Sequence, residues 1–205
     1  MQASVAPDNW SAWFRGKNFS ADWCSHHFPL WAEILLHMQK QRCHVLEIGS
    51  WEGRSAIFFL EYLPLCRITC VDTFAGSDEH KPGTEWYQNV ADIENRFDTN
   101  LASYTGRVEK IKTRSVDALG WLAQAGRMFE VIYIDGSHAA ADVLSDSTLA
   151  WPMLRANGIL IWDDYEWGGA DDDRPQSAID AFLQLKSGEL TEIHREYQLA
   201  VRKNP

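Results

Sequence analysis

The stretch His44 to Ser55, H-V-L-E-I-G-S-W-E-G-R-S, decides the fold. Val45, Leu46 and Ile48 form a short apolar run, which suits a parallel strand buried on both faces. Glu47, Gly49 and Gly53 spell E-x-G-x-x-x-G where that strand should turn into a helix. The first glycine permits a sharp turn and a close backbone approach to a ligand, because no Cβ stands in the way. Arg54 to Leu63 continues as a helical run that Pro64 stops. Strand, glycine turn and helix N-terminus together predict a nucleotide-sized pocket at the carboxyl end of a parallel sheet.

Downstream, strands and helices alternate. Arg67 to Val71 reads as a second strand ending at Asp72, and an insertion-like region, Gly76 to Gly106, follows with a helical segment near Val90 to Ser103. Val108 to Ile111 is a third strand and Val116 to Ala125 a helix. Val131 to Ile134 is wholly apolar and therefore a central strand. Ala139 to Arg155 predicts a long helix that Pro152 kinks or ends. Asn157-Gly158 marks a stop before a fifth strand, Ile159 to Trp162. Gln176 to Lys186 is amphipathic, with Gly188 as its cap. Leu190 to His194 and Tyr197 to Arg202 are extended runs joined too closely for a crossover, so they pair antiparallel. The expected product is an α/β fold: a single doubly wound, Rossmann-like, seven-stranded sheet with one antiparallel strand near the C-terminus.

Residues 1–40 stand apart. Trp10, Trp13, Phe14, Phe19, Trp23, Phe28 and Trp31 crowd a segment that precedes the sheet. It reads as an N-terminal helical appendage packing its aromatics on the core, as a lid over a ligand, or as both; residues 41–205 form the main domain.

Composition removes several function classes. The 205 residues fit one core, and ten tryptophans are more than a core of that size readily absorbs, which points some of them to a ligand site or interface. A formal charge of −10 argues against nucleic acid and against anionic membrane surfaces, because phosphate contacts need clustered Lys and Arg. Cys24, Cys43, Cys66 and Cys70 form no C-x-x-C, so zinc-ribbon and thioredoxin readings fail. With no bilayer-length apolar run and no signal-peptide core, the expected location is the cytoplasm. A homo-oligomer is left open.

Two glycine-rich alternatives can be tested on the turn itself. A dinucleotide fingerprint from Gly49 requires glycine at Trp51 and a small residue at Arg54, and both fail; a P-loop requires G-K-[ST], which is absent. E-x-G-x-x-x-G instead resembles the first motif of class I S-adenosylmethionine-dependent methyltransferases. Asp72, at the end of strand two, stands where a carboxylate accepts both ribose hydroxyls. I-Y-I-D-G-S-H (Ile132 to His138), Asp142, Asp146 and G-I-L-I-W-D-D-Y (Gly158 to Tyr165) form a linked pattern. That pattern, with V-D-T-F at Val71 to Phe74, resembles the macrocin-type group of metal-dependent O-methyltransferases acting on sugars of macrolide and aminocoumarin antibiotics. The resemblance implies a cofactor pocket lined by Glu47, Gly49, Ser50, Trp51 and Gly53 of the turn. It adds Asp72, Thr73 and Phe74 after strand two, Ser115 at the adenine, and Asp135 at the methionine end.

Residues just past the carboxyl ends of parallel strands converge on one crevice. Asp135 follows strand four, and Asp163 and Asp164 follow strand five, on neighbouring strands only about 5 Å apart. Three like charges there repel unless a cation or protonation relieves them, and Mg²⁺ with oxygen ligands is the natural solution. The other reading makes Asp163 and Asp164 caps of the next segment. Asp171, Asp172 and Asp173 read as a solvated loop. Methyl transfer to a hydroxyl needs in-line alignment and a base for the proton, and His138 or Asp135 is placed for it. The expected activity is S-adenosylmethionine-dependent, metal-assisted O-methylation of a small molecule, such as a glycoside or another natural product. The alternatives are a metal-independent methyltransferase on oxygen or nitrogen, and a non-catalytic cofactor-binding module.

Overall fold

A computed structural model describes residues 10–77, 80–84, 90–168 and 174–205; Trp86, Tyr87 and the Asp171 to Asp173 run lie outside them. After short 3-10 turns at Trp10–Phe14 and Ser25–His27 come α1 (Phe28–Leu35), β1 (His44–Ile48), α2 (Arg54–Tyr62) and β2 (Arg67–Asp72). Then follow α3 (Ile93–Leu101), β3 (Val108–Lys112), α4 (Ser115–Gln124), β4 (Phe129–Ile134) and α5 (Ala140–Ala150). The chain closes with β5 (Leu154–Trp162), α6 (Pro175–Leu185), β6 (Leu190–Arg195) and β7 (Leu199–Lys203). The strands form one seven-stranded sheet in the order β3-β2-β1-β4-β5-β7-β6. β4 pairs parallel with β1 and β5, whereas β7 runs antiparallel to both β5 and β6. This is the doubly wound mixed sheet expected from the alternation of strands and helices, with its reversed strand near the C-terminus. No helix among the described residues is long and apolar enough to cross a membrane.

The chain divides into two compact units. One comprises His44–Gly49, Thr69–Thr73 and Lys110–Pro205. Its core follows from strand and helix periodicity. Leu46 and Ile48, Ile132 and Ile134, and Leu160 and Trp162 alternate along their strands. They are buried with Ala118, Leu119 and Leu122 of α4 and Ile179 and Phe182 of α6. Each such side chain contributes about 1.5–3 kcal/mol by leaving water.

Two boundaries differ from those read in the sequence. The helix expected over Ala139–Arg155 stops at Ala150, and a 3-10 turn holds Trp151–Met153, because Pro152 cannot supply the next helical N–H. β5 therefore starts at Leu154, and Asn157-Gly158 interrupts a strand rather than preceding one. Asn157 takes φ +64°, and the ladder to β4 shifts between the Phe129–Leu154 and Val131–Ile159 pairs. A Cβ on Gly158 would sit 2.8 Å from the Arg155 carbonyl and 3.0 Å from that of Glu130, so only glycine fits this irregularity.

The other unit comprises the residues up to Cys43, Ser50–Ile68 and Phe74–Glu109. Its core takes in two of the seven N-terminal aromatics, Phe28 and Trp31, and others pack against it. Phe28 stacks on Phe58 at 4.5 Å and Trp31 on Phe59 at 5.3 Å, all four fully buried, and Trp10 lies 5.5 Å from Phe58. Such ring pairs add roughly 0.5–1.5 kcal/mol each beyond the area they bury. The Tyr62 hydroxyl donates to the Ala32 carbonyl at 2.6 Å, fastening α2 to α1. Trp23 remains 41% exposed, with its ring 5.3 Å from that of Trp51.

Candidate active site

β1 and β4 are neighbours in the sheet, and the strands that follow them, β2 and β5, lie on opposite sides of the pair, the topological switch point at which open α/β sheets bind ligands. Gly49, the first residue past β1, has φ +85° and donates its N–H to the Val71 carbonyl at 2.9 Å. A Cβ there would lie 1.9 Å from the Asp135 carbonyl oxygen and 2.7 Å from the Gly136 Cα. The close approach that this glycine permits is thus to the backbone following β4. Glu47, completely buried, pairs in register with Tyr133.

The rest of the turn belongs to the other unit. Trp51 adopts φ +46°, an uncommon conformation for a bulky residue, and Gly53 φ +80°. A side chain on Gly53 would meet Leu101 Cδ1 at 2.9 Å. Ser50 is buried. Glu52, which sequence reasoning passed over, is 1% exposed. Its Oε2 accepts the Ser20 N–H at 2.6 Å, its Oε1 pairs with Arg96 at 3.0 Å, and its carbonyl accepts from Asn100. Arg54, the residue that excluded a dinucleotide turn, reaches Asp22 at 2.6 Å and Ser25 at 2.8 Å and lies over the Phe14 ring at 4.4 Å. Trp51, Glu52 and Arg54 of the turn therefore hold the N-terminal segment.

Asp135, Asp163 and Asp164 do converge. Each offers a carboxylate oxygen within 4.8 Å of the others. Burial first, and then the charges of Asp163 and Asp164, raise Asp135 well above the ordinary carboxylate range. Burial and then Asp164 push Asp163 up to about 7. The three are thus costly to hold fully ionised unless a cation or a proton accompanies them. Three hard anionic oxygens on adjacent strand ends suit Mg²⁺, which retains open positions for water or substrate oxygens. Tyr133 donates to Asp135 at 2.9 Å, Gln198 donates to Asp163, and Tyr197 donates to Asp164 at 2.9 Å. Partial burial and then the Asp164 charge raise the Tyr197 hydroxyl above the usual phenol value, so it stays a donor.

His138 joins the cluster: its Nε2 lies 2.8 Å from Asp164 Oδ2, and its ring packs 4.3 Å from Trp167. Two aromatics near the end of β5 are packing residues. Trp162 is buried with its indole N–H on Ser147, and Tyr165 is buried with its hydroxyl on Asp180. Among the remaining expected cofactor residues, Asp72 ends β2, its carbonyl accepting from Thr113 at 3.1 Å, and Thr73 is exposed. Phe74 is buried with φ +54° and packs on Phe97 at 5.1 Å. Ser115 is the first residue of α4, and its hydroxyl bonds to Asp146 of α5. Tyr133, Tyr197 and Gln198 were not anticipated. The last two are placed by the register of the antiparallel strand beside β5, which only the folded chain shows.

Residues 46–165 match the family model described as a methyltransferase domain. The chain belongs to this methyltransferase-domain family. The domain also resembles solved structures. The MycE methyltransferase from the mycinamycin biosynthetic pathway, in complex with Mg, SAH and mycinamycin VI, superposes with a TM-score of 0.65 at 18% identity. The match covers 95% of this chain but 53% of that one, so the methyltransferase domain described here spans about half the length of that protein. An O-methyltransferase from Bacillus cereus, in complex with SAH, gives 0.64 at 19% identity over 90% of this chain and 84% of that one. No curated protein matches. At these identities the likeness is one of fold, and it agrees with the class I methyltransferase architecture that the motifs suggested.

Proposed function

We propose that this methyltransferase domain transfers the methyl group of S-adenosylmethionine to a hydroxyl of a small molecule, assisted by a divalent cation held by Asp135, Asp163 and Asp164. The observation that carries this reading is the meeting of three carboxylates and a carboxylate-paired histidine at the ends of adjacent strands. A bound Mg²⁺ would lower the pKa of the acceptor hydroxyl and orient its oxygen. His138 takes the hydroxyl proton. Asp164 fixes the ring orientation through Nε2 and stabilises the imidazolium that forms. As the acceptor oxygen bonds to the methyl carbon, the carbon–sulfur bond breaks and its electrons return to sulfur, leaving a neutral thioether.

By resemblance, Asp72 receives the ribose hydroxyls. Gly49, Ser50, Trp51 and Gly53, with Thr73, Phe74 and Ser115, border the rest of the cofactor. Glu47 and Asp135 supply negative charge toward its cationic methionine end. Trp167 beside His138 and Tyr197 beside Asp164 offer aromatic faces for a sugar or aromatic acceptor. A glycoside fits that chemistry.

A second reading keeps the cofactor and drops the metal. It draws support from the hydrogen bond between Asp135 and Asp163, which lets a shared proton replace a cation. Calorimetric titration with S-adenosylmethionine, with and without Mg²⁺, separates the two. Methyl transfer to a panel of phenols and glycosides is then followed with and without a chelator and in Asp164→Asn. Activity that survives both chelation and Asp164→Asn unchanged excludes the metal.

A further inference from the structure

Each carboxylate of the cluster accepts a hydrogen bond, and two of the donors, Tyr197 and Gln198, come from one short stretch of chain just before β7. Gln198 donates to Asp163 Oδ1, and the Tyr197 hydroxyl donates to Asp164 Oδ1 at 2.9 Å. The cause is topological. β1, β4 and β5 run parallel and bring their carboxyl ends to the crevice, so an antiparallel β7 beside β5 brings its amino end there. The β5–β7 ladder pairs Ile161 with Ala200 and Trp162 with Leu199. Carried one and two steps further, the same register sets Asp163 opposite Gln198 and Asp164 opposite Tyr197. The Glu166 N–H to Tyr197 carbonyl bond, at 3.3 Å, continues the association past the last ladder pair.

We propose that Tyr197 and Gln198 are positioning residues of the metal centre. Each holds one ligand carboxylate in a single rotamer and leaves its remaining lone pairs directed at the cation. A carboxylate has about four lone-pair sites, so the Gln198 bond on Asp163, and the Tyr197 bond on Asp164 Oδ1 beside the His138 pairing on Oδ2, orient these groups without using up their capacity to bind a metal. Tyr197 is 38% exposed as a residue, so it is no part of the apolar core, while Gln198, 1% exposed, is a buried amide whose donor is directed at a carboxylate. The inference rests on the metal reading above.

Calorimetric titration of the intact protein with Mg²⁺ alone tests it, on the unsubstituted chain, Tyr197→Phe and Gln198→Ala, with S-adenosylhomocysteine titrated as a control. Each variant is expected to bind Mg²⁺ at least about tenfold more weakly, the usual loss for removal of an outer hydrogen bond to a metal ligand, with the control affinity unchanged. If the unsubstituted chain binds no Mg²⁺, the metal reading falls and this inference with it. If it binds and both variants bind equally well, the positioning role is overturned while the metal reading stands. A parallel loss of Mg²⁺ and S-adenosylhomocysteine affinity would assign the two residues a general structural role and overturn it as well. Should Gln198→Ala fail to fold, Tyr197→Phe, which removes only the hydroxyl oxygen, decides alone.

Discussion

Single residues of this methyltransferase domain are constrained by their neighbours more than by the ligand their motif evokes. Gly49 is the clearest case, since its φ of +85° and the 1.9 Å approach of a would-be Cβ to the Asp135 carbonyl both forbid a side chain. Gly49→Ala should cost about 3 kcal/mol or more, combining left-handed strain with a displaced backbone. Urea unfolding measures this, and a variant with the unsubstituted midpoint would mean that the β1 and β4 ends separate freely. The sequence made the glycine conspicuous but could not name what it approaches, because Asp135 lies far along the chain. Glu52 was less legible still. A glutamate inside a turn motif carries no mark of burial, and its partner Arg96 sits in a helix with no local link to it.

At the scale of elements, helix α5 is joined to α4 by a buried acid. Asp146, 3% exposed, meets the hydroxyl of Ser115 and is pushed up to about 6, chiefly by burial. A carboxyl whose folded pKa is raised binds its proton more tightly in the native state. It therefore contributes stability below the unfolded value near 4 and loses that contribution as pH rises to about 6. Asp146→Asn keeps an acceptor for Ser115 and removes the titration. Between pH 4 and pH 7 the variant should gain about 2 kcal/mol relative to the unsubstituted chain, at about 1.4 kcal/mol per pKa unit with allowance for incomplete burial. Parallel unfolding curves at the two pH values would show that Asp146 does not carry the shift. Element types and order were legible because periodicity and strand length are local properties. The end of α5 and the irregular start of β5 were not, since a bulge is set by pairing with β4.

For the molecule as a whole, the charge of the aspartate cluster ties folding to the proposed binding of a cation. A cluster that is costly to ionise in the absence of a cation gains stability when one binds, because the native state holds the ion and the unfolded chain does not. Mg²⁺ at a hundredfold its dissociation constant should add about 2.7 kcal/mol to the unfolding free energy. Asp163→Asn should lose most of that increment while unfolding, metal-free, no more readily than the parent chain, since it removes one of three mutually repelling carboxylates. Calorimetric melting with and without the ion measures both, and an equal Mg²⁺ increment in the variant would place the ion elsewhere.

Alternation of apolar strands and amphipathic helices was enough to specify the sheet, its reversed strand near the C-terminus, and the strand ends where Asp135, Asp163, Asp164 and His138 would meet. These follow from chain order and from the rule that parallel strands deliver their carboxyl ends to one side. Contacts that depend on register across strands, or on side chains distant in sequence, became visible only in the folded chain. Tyr197 and Gln198 face the aspartates because β7 slots antiparallel against β5 at one particular register. Trp51, Glu52 and Arg54 hold the N-terminal segment through Trp23, Ser20 and Asp22, partners about thirty residues away. Such pairings arise from packing, which no local pattern of residue types encodes.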